Sequence, residues 1–515
     1  MPAERAGVWC GQAEPASTRA MEAFNIDLFL LTLALVGTVI LIAALLSGWI
    51  DRSDVPQVGV FLALGAALGP AGLELLDVGL DSPILRVVAT LSLVLVLFTD
   101  AVSLSFTEVR RHGALAFRVL GPGTVVSAAL IALAARFFLG LAAPAAAILG
   151  AALASTDPVM LRGLLRRPGL PAPARLALRL ESGLNDAVLL PIILIAMPFA
   201  AQASFPTRAE WARLGIDLFL LGPGAGIGAG LLAVAALEMI RREIGVRRDY
   251  ESLYSLGVAF TAYAAAEAVH GSGFLAAFAA GLTIAALDVE LCDCFLEYGQ
   301  TTAEMALLFT FVLFGASLIW GGFALLRWPV VLFAATVLLI RPIVYFASLA
   351  GSGLDLRNRI LIAWFGPRGL SSLLLIVVPV FAGIEDSQDW FFICCLIVLL
   401  SVALHGGSLM FLKRQEPSSS GVAADSAVDI SQNGSAPAEI AGENKPRDLL
   451  MTVPQLREVQ RSGEPALVID ARAERSFDGS DLMAVGAIRV LPEHALERLK
   501  ALEVPRNTWV VVFCA

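Results

Sequence analysis

The stretch LRLESGLNDAVLLPIILIA at residues 178–196 places the polar side chains of Glu181, Ser182, Asn185 and Asp186 close together near the start of a largely apolar helix. Ser182 and Asp186 are four residues apart and share one helical face, while Glu181 and Asn185 share the neighbouring face. Because an apolar run follows Asp186, its carboxylate is expected inside a bilayer, where an Asp costs roughly 2.5–3.5 kcal/mol. The stretch therefore predicts a membrane-spanning helix whose polar residues have a function.

The composition of the whole chain is that of a membrane protein. Of the 515 residues, 57% are hydrophobic and 16% are charged, and the mean hydropathy is +0.78. A soluble domain carries about a quarter charged residues, so this chain cannot cover an ordinary core with polar surface. The net charge of −9 disfavours nucleic acid as a partner. The six scattered cysteines indicate neither a disulfide framework nor a metal site, and we expect no cofactor.

Apolar runs of the length that a spanning helix needs, about 20 residues, predict an all-α polytopic membrane domain over residues 24–414, preceded by an N-terminal tail at 1–23. The 13 runs lie near 24–50, 56–76, 83–105, 114–138, 143–165, 177–204, 214–240, 250–268, 272–288, 302–320, 326–350, 358–383 and 388–412.

Basic residues in the loops predict the orientation of the chain. Lys and Arg favour the cytoplasmic side. With the N-terminus outside, the inside loops contain Arg52, Arg110, Arg111, Arg162, Arg166, Arg167, Arg175, Arg241, Arg242, Arg247, Arg248, Arg357, Arg359, Lys413 and Arg414. The outside loops contain Arg208, Arg213 and Arg327. This asymmetry predicts an outside N-terminus and a cytoplasmic C-terminus.

Two of the predicted spans are interrupted at corresponding places. The fifth contains ASTDPVM at 154–160, and the twelfth contains WFGPRGLSS at 364–372. Proline disfavours helical geometry at the residue before it, and broken helices at membrane depth line a cavity or are buried in protein. With the seventh span as a connector, each break lies in the fifth span of its half, which is typical of a transporter site built from inverted repeats.

The residues around these breaks suggest two roles. Backbone carbonyls near Ser155 and Thr156 would lose their helical partners and could bind a cation. Arg368 could supply the positive charge that a buried Glu181 requires. Taken alone, however, Thr156-Asp157-Pro158 fits a helix-end turn as well as a binding site.

After the last span the chain changes character. Residues 415–447 are rich in Ser, Gly, Ala and acidic residues without periodicity, which predicts a disordered linker. Residues 448–515 regain a soluble pattern, with short strands at ALVIDAR and WVVVF around a helix near 492–502. They predict a small, incomplete α/β unit.

The membrane domain resembles the monovalent cation:proton antiporter family, in its NhaP-like branch. The residues that carry the resemblance are TDP at 156–158, ESGLNDA at 181–187, HGSGFLAAFAAGL at 270–282, RP at 341–342 and GPRG at 366–369. The C-terminal unit resembles the start of a rhodanese-like domain, through VIDAR at 468–472, GAI at 486–488 and Cys514 in the place of that family's persulfide-forming cysteine.

The resemblance implies an inverted-repeat fold, a homodimer and a core bundle that moves like an elevator. By position, it implies that Asp186 alternately holds a proton and a cation, with Asp157, Ser182 and the Thr156 carbonyl as further ligands. It also implies that Glu181 and Arg368 form an ion pair and that Asn185 orients the site.

We therefore expect a transporter, not an enzyme, that exchanges Na+ or Li+ for H+ across the cell (inner) membrane. Asn185 stands where electrogenic relatives have a second Asp, which favours an electroneutral cycle. A K+/H+ antiporter with the same site is the first alternative, because spacing does not fix cavity size. A membrane-anchored sulfurtransferase and a cation channel are alternatives of other classes.

Overall fold

The chain divides into two compact units, Met1–Ser419 and Ser420–Ala515. The computed structural model describes residues 57–104, 106–165, 170–201, 207–243, 248–287, 293–414, 466–471, 486–490 and 508–513, with a few isolated residues elsewhere. The predicted N-terminal tail, linker and helix near 492–502, and Cys514, lie outside the described residues.

The first unit is helical. Its helices are α1 (Gln57–Leu68), α2 (Pro83–Val102), α3 (Phe106–Arg111), α4 (Gly113–Arg118), α5 (Val126–Leu139), α6 (Ala143–Ala154), α7 (Pro158–Leu165), α8 (Ala172–Ala201), α9 (Arg208–Ile216), α10 (Gly222–Glu243), α11 (Arg248–Ala268), α12 (Gly273–Ala286), α13 (Asp293–Ala316), α14 (Trp328–Ser348), α15 (Leu356–Trp364), α16 (Leu370–Phe381) and α17 (Ser387–Arg414). Two π-helical segments, Val119–Val125 and Asp217–Leu221, join α4 to α5 and α9 to α10. A 3₁₀ segment, Leu318–Leu325, follows α13.

Seven helical stretches of the described chain are long and apolar enough to cross a membrane, or eight if a pair bent by 47° forms one span. The seven are Pro83–Val102, Gly113–Leu139, Ala143–Leu161, Ala172–Ala201, Arg208–Arg241, Trp328–Ser348 and Ser387–His405, and the bent pair is Tyr298–Ala316 with Leu318–Leu325. The chain is thus a multi-pass membrane protein. The count of 13 spans stays a prediction, since residues 24–50 lie almost wholly outside the described part.

Helix burial separates an inner bundle from a periphery. In α2, every residue from Ser92 to Thr99 is buried, and in α16 every residue from Leu370 to Val377 is buried. A helix that is apolar on all sides belongs in the core of a large bundle. In contrast, α5 exposes Phe137 to 79% and α10 exposes Leu232 to 74%. Such apolar faces suit contact with lipid.

The inner helices surround the polar part of α8. Helix α8 packs against α2, α6 and α16, and it buries Glu181, Ser182, Asn185 and Asp186 among them. The small side chains of α6, with the sequence APAAAILGAALA, allow this close approach. Both predicted interruptions are present: α6 and α7 are separated at 155–157, and α15 and α16 at 365–369.

The second unit contains a three-stranded parallel sheet in the order β2-β1-β3. Its strands are β1 (Ala466–Asp470), β2 (Ala487–Arg489) and β3 (Trp509–Phe513). β1 and β3 coincide with the stretches predicted from ALVIDAR and WVVVF. The rhodanese-like assignment stays a prediction, since these strands alone do not define that domain.

Candidate functional site

The two helix breaks touch one another in the centre of the bundle. The Asp157 backbone N–H donates to the Pro367 carbonyl at 3.0 Å. The Arg368 guanidinium donates through Nη1 to the carbonyls of Ala154, at 2.6 Å, and Ser155, at 3.1 Å. These carbonyls end α6, so a cation lies at the negative end of a helix dipole. The contact fixes one broken helix against the other.

The Asp157 carboxylate caps two helices at once. Its Oδ1 accepts a hydrogen bond from the Val159 N–H at 2.8 Å, at the start of α7. Its Oδ2 accepts one from the Leu370 N–H at 2.7 Å, at the start of α16. Helix N-termini leave N–H groups without partners and favour negative charge. The structure therefore shows the helix-end role of the TDP motif, and the role of Asp157 as a cation ligand stays a prediction.

This arrangement leaves no room for a side chain at residue 369. A Cβ at Gly369 would overlap the Asp157 carboxylate, and one at Gly366 would overlap the Arg341 guanidinium. The glycines of the GPRG motif thus allow two charged groups to approach the backbone.

We predict that Gly369→Ala disrupts the crossing, because the added methyl group must displace the carboxylate that caps α7 and α16. The expected result is a loss of exchange and a lower melting temperature of the purified protein. Gly353→Ala is a poor control because Gly353 has a positive φ of 78°. Gly228→Ala, with nothing within 4 Å of the added Cβ, is a suitable one. Normal activity and stability of Gly369→Ala would contradict the described geometry.

Asp186 lies in the interior of α8 and is 4% exposed. The Ser155 hydroxyl donates to its Oδ1 at 2.6 Å. Within the described residues, Asp186 forms no salt bridge with a basic side chain. Ser155 was not among the predicted site residues, although a hydroxyl inside a predicted helix break was a usable signal.

Asn185 connects α8 to the first break. Its Nδ2 donates to the Thr156 hydroxyl at 2.8 Å and approaches the Thr156 carbonyl at 3.4 Å. Its Oδ1 is buried without a hydrogen-bond partner among the described residues. The Ser182 hydroxyl donates to the Arg179 carbonyl of its own helix at 3.4 Å. The structure thus brings Asn185 and Thr156 together, and it gives Ser182 a local partner.

The predicted ion pair of Glu181 with Arg368 is wrong. Glu181 pairs with Arg341 of α14, whose Nη2 lies 2.7 Å from Oε2 and whose Nε lies 3.2 Å from Oε1. Arg341 also donates to the carbonyls of Ile362 at 3.0 Å, Ala363 at 2.6 Å and Phe365 at 3.1 Å, where α15 ends. Arg368 instead donates to the carbonyls at the end of α6. Arg341 belongs to the RP pair at 341–342, and a cation inside an apolar span needs a partner.

Within the part of the chain that the structure describes, no group of three or more His, Cys, Asp or Glu side chains could hold a metal ion. Among the described residues, the site offers the Asp186 carboxylate, with the Ser155 hydroxyl as its one side-chain donor, beside two helix breaks whose ends are capped by charged side chains.

Comparison with known proteins identifies the family. The model of the sodium/hydrogen exchanger transmembrane family matches residues 36–414. The chain belongs to this family. It is therefore a monovalent cation:proton antiporter and not an enzyme, as the sequence motifs predict.

Curated relatives and solved structures agree with this family. The chain is 27% identical over 413 residues to the K(+)/H(+) antiporter NhaP of Alkalimonas amylolytica, covering 78% of this chain and 69% of the relative. It is 27% identical over 409 residues to the K(+)/H(+) antiporter NhaP2 of Shewanella sp. (strain MR-4), covering 76% and 67%. The structure of the sodium proton antiporter MjNhaP1 from Methanocaldococcus jannaschii at pH 8 superposes with a TM-score of 0.61 at 20% identity, covering 74% of this chain and 100% of that chain. This likeness shows the NhaP-like fold.

Proposed function

We propose that this antiporter exchanges Na+ or Li+ for H+, with Asp186 as the group that binds both in turn. The observation that carries the proposal is the contrast between two buried carboxylates of α8. Glu181 has a fixed counter-charge in Arg341 at 2.7 Å, whereas the Asp186 carboxylate has the Ser155 hydroxyl at 2.6 Å. An ionised carboxylate in an apolar bundle is costly without a counter-charge. A proton or a cation removes that cost at Asp186, and each excludes the other.

Competition of this kind is sufficient for exchange. If the inner bundle changes its exposure from one side to the other only when Asp186 is occupied, each cation that leaves must be replaced by a proton or another cation. The Asn185 Oδ1, which has no hydrogen-bond partner among the described residues, is a second acceptor oxygen near Asp186 for a positively charged guest. Asp157, Ser182 and the Thr156 carbonyl are the further ligands that we propose, and Asn185 orients them.

The cycle that we propose is electroneutral. Asn185 cannot carry a proton, Glu181 is neutralised by Arg341, and Asp157 is held between two helix N-termini. One carboxylate then exchanges one proton for one monovalent cation.

K+ is the alternative cation. The curated relatives are named K(+)/H(+) antiporters, whereas the structural neighbour is named a sodium proton antiporter. Selectivity among these ions depends on the size of the cavity and on the number and rigidity of its oxygen ligands.

The proposal also covers the location, oligomeric state and domain organisation of the whole protein. We infer that the protein spans the cell membrane as a homodimer of inverted repeats, with an outside N-terminus and a cytoplasmic C-terminus. The C-terminal unit is proposed as a rhodanese-like appendage, attached to the membrane domain of residues 24–414 by the linker at 415–447.

The test of the proposal is exchange in proteoliposomes that contain a pH-sensitive dye. Addition of Na+ or Li+ should dissipate an imposed pH gradient, and K+ should do so less well. If the cycle is electroneutral, the cation gradient at which the dye signal stays constant will not change when a voltage is imposed. A cycle that moves one net charge would shift this balance by about 2.3 kcal/mol per 100 mV. Such a shift would contradict the one-to-one stoichiometry, and a larger response to K+ would favour the alternative cation.

A further inference from the structure

The oxygen atoms of the first helix break are not equally available to a cation. The Ser155 carbonyl accepts hydrogen bonds from Arg368 Nη1 at 3.1 Å and from the Ser372 hydroxyl at 3.3 Å, and the Ala154 carbonyl accepts one from Arg368 at 2.6 Å. A carbonyl oxygen has two lone pairs, so that of Ser155 is fully used. The carbonyls expected to be released by the break are thus largely engaged by α16 and by the residues before it.

The Ser155 hydroxyl is placed differently. Its residue is 0% exposed, and its oxygen lies 2.6 Å from Asp186 Oδ1 as the donor of a hydrogen bond. A hydroxyl that donates keeps two lone pairs, and its hydrogen can rotate about the C–O bond. The same oxygen can therefore donate to the carboxylate when no cation is present and face a cation when one is bound.

The backbone around Ser155 fixes where this hydroxyl lies. Its carbonyl accepts hydrogen bonds from Arg368 of the second break and Ser372 of α16, and the hydroxyl of the next residue, Thr156, accepts one from Asn185 of α8 at 2.8 Å. Ligands held in position before binding lose little conformational entropy when the guest arrives. The contacts of the second broken helix with the Ser155 carbonyl thus fix the backbone from which the Ser155 hydroxyl reaches the Asp186 carboxylate.

We propose that the Ser155 hydroxyl is a direct ligand of the transported monovalent cation, together with the Asp186 carboxylate. The proposal rests on the function proposed above and adds to it a ligand that the sequence motifs did not assign. Alkali cations are hard ions that bind oxygen ligands. The Ser155 hydroxyl oxygen and the Asp186 carboxylate oxygen would be two neighbouring ligands in the coordination shell of such a cation. The carbonyl of the same residue then serves to position the hydroxyl.

The test is the dependence of exchange on cation concentration for Ser155→Ala and Ser155→Cys in proteoliposomes. We expect both variants to raise the half-saturating Na+ or Li+ concentration about tenfold, the equivalent of 1.4 kcal/mol, and to retain most of the rate at saturating cation. Cysteine keeps the shape of the side chain but replaces the hard oxygen by sulfur. It should therefore behave like alanine if the oxygen binds the cation, and like serine if only packing matters.

Ser92→Ala is the matched control. Ser92 is also 0% exposed, and its hydroxyl bonds to that of Thr310 at 2.9 Å, so the substitution removes a buried hydroxyl that is not bonded to Asp186. It should leave the half-saturating concentration unchanged. An unchanged half-saturating concentration in Ser155→Ala, or a serine-like value in Ser155→Cys, would overturn the proposal.

A second measurement covers a variant that folds but does not transport. Ligand binding raises the melting temperature of the purified protein in proportion to the logarithm of its concentration above Kd. The Na+ or Li+ concentration that produces a given rise should be about tenfold higher for Ser155→Ala, and an unchanged concentration would again overturn the proposal. If the function proposed above were wrong, Asp186→Asn would exchange ions like the native protein. That outcome is distinguishable from a failure of the Ser155 proposal alone.

Discussion

Asp186→Asn is expected to reduce cation:proton exchange to the level of protein-free vesicles. The amide has nearly the shape of the carboxylate and can still accept from Ser155, whose hydroxyl lies 2.6 Å from Oδ1 in the native protein. It cannot ionise, however, so it neither releases a proton nor supplies the charge that binds a cation. The measurement is dequenching of a pH-sensitive dye on addition of Na+, Li+ or K+.

The control for this substitution is Asp217→Asn. Asp217 lies 3.8 Å from Arg213 in a salt bridge with 77% and 28% exposed side chains, so the change removes a carboxylate at the bundle surface. It should leave exchange unchanged, because exposed salt bridges contribute little. Exchange by Asp186→Asn at the native rate, with all three cations tested, would mean that another group binds the ions.

Arg341→Ala is expected to destabilise the membrane domain by about 3–5 kcal/mol, the cost of removing one partner of a buried ion pair. The substitution would leave the Glu181 carboxylate, 0% exposed, without its counter-charge. It would also remove the donor from three carbonyls at the end of α15. The measurement is the thermal unfolding of the purified protein, together with the yield of monodisperse material.

Replacing both partners should restore part of the lost stability, because Glu181→Gln in the Arg341→Met background removes the unpaired charge. Arg213→Ala, at the 77% exposed site, should change the free energy of unfolding by less than about 1 kcal/mol. If Arg341→Ala were as stable as Arg213→Ala, or if the double variant were less stable than Arg341→Met alone, the assigned ion pair would not be the structural link described here.

The sequence predicted which polar residues of α8 are buried, because charge inside an apolar helix has few explanations. Glu181, Asn185 and Asp186 are all buried in α8, and both helix breaks occur where proline and glycine interrupt the apolar runs. These features depend on local rules: helical periodicity, the backbone limits of proline and the cost of a charge in lipid. The motifs that carry the family resemblance lie at the same positions.

The partners of these residues could not be predicted in the same way. Both Arg341 and Arg368 are 2% exposed, and either could have neutralised Glu181 by the rules of charge alone. The choice depends on the packing of α14 and α15 around α8, which spacing along the chain does not contain. The Ser155 hydroxyl was missed for a related reason, since the expectation concerned the carbonyls of the break and not its side chains.

Helix breaks and short helices make it difficult to predict the number of spans from apolar length. The apolar run at 358–383, which WFGPRGLSS at 364–372 interrupts in the sequence, folds as α15, of 9 residues, and α16, of 12 residues. A helix of 12 residues is about 18 Å long and does not cross a bilayer alone. Apolar length alone therefore predicts that this run lies in the membrane, and the Gly366-Pro367 pair predicts where its helix is broken, while the number of spans stays a prediction.

The most direct test of the account is proton release from the purified, detergent-solubilised protein when Na+ or Li+ is added. Because one carboxylate is proposed to hold either guest, we expect about one proton released per cation bound at a pH where Asp186 is protonated, and none from Asp186→Asn. Cation binding without proton release, or the same release from Asp186→Asn, would contradict the claim that the two ions compete for this side chain.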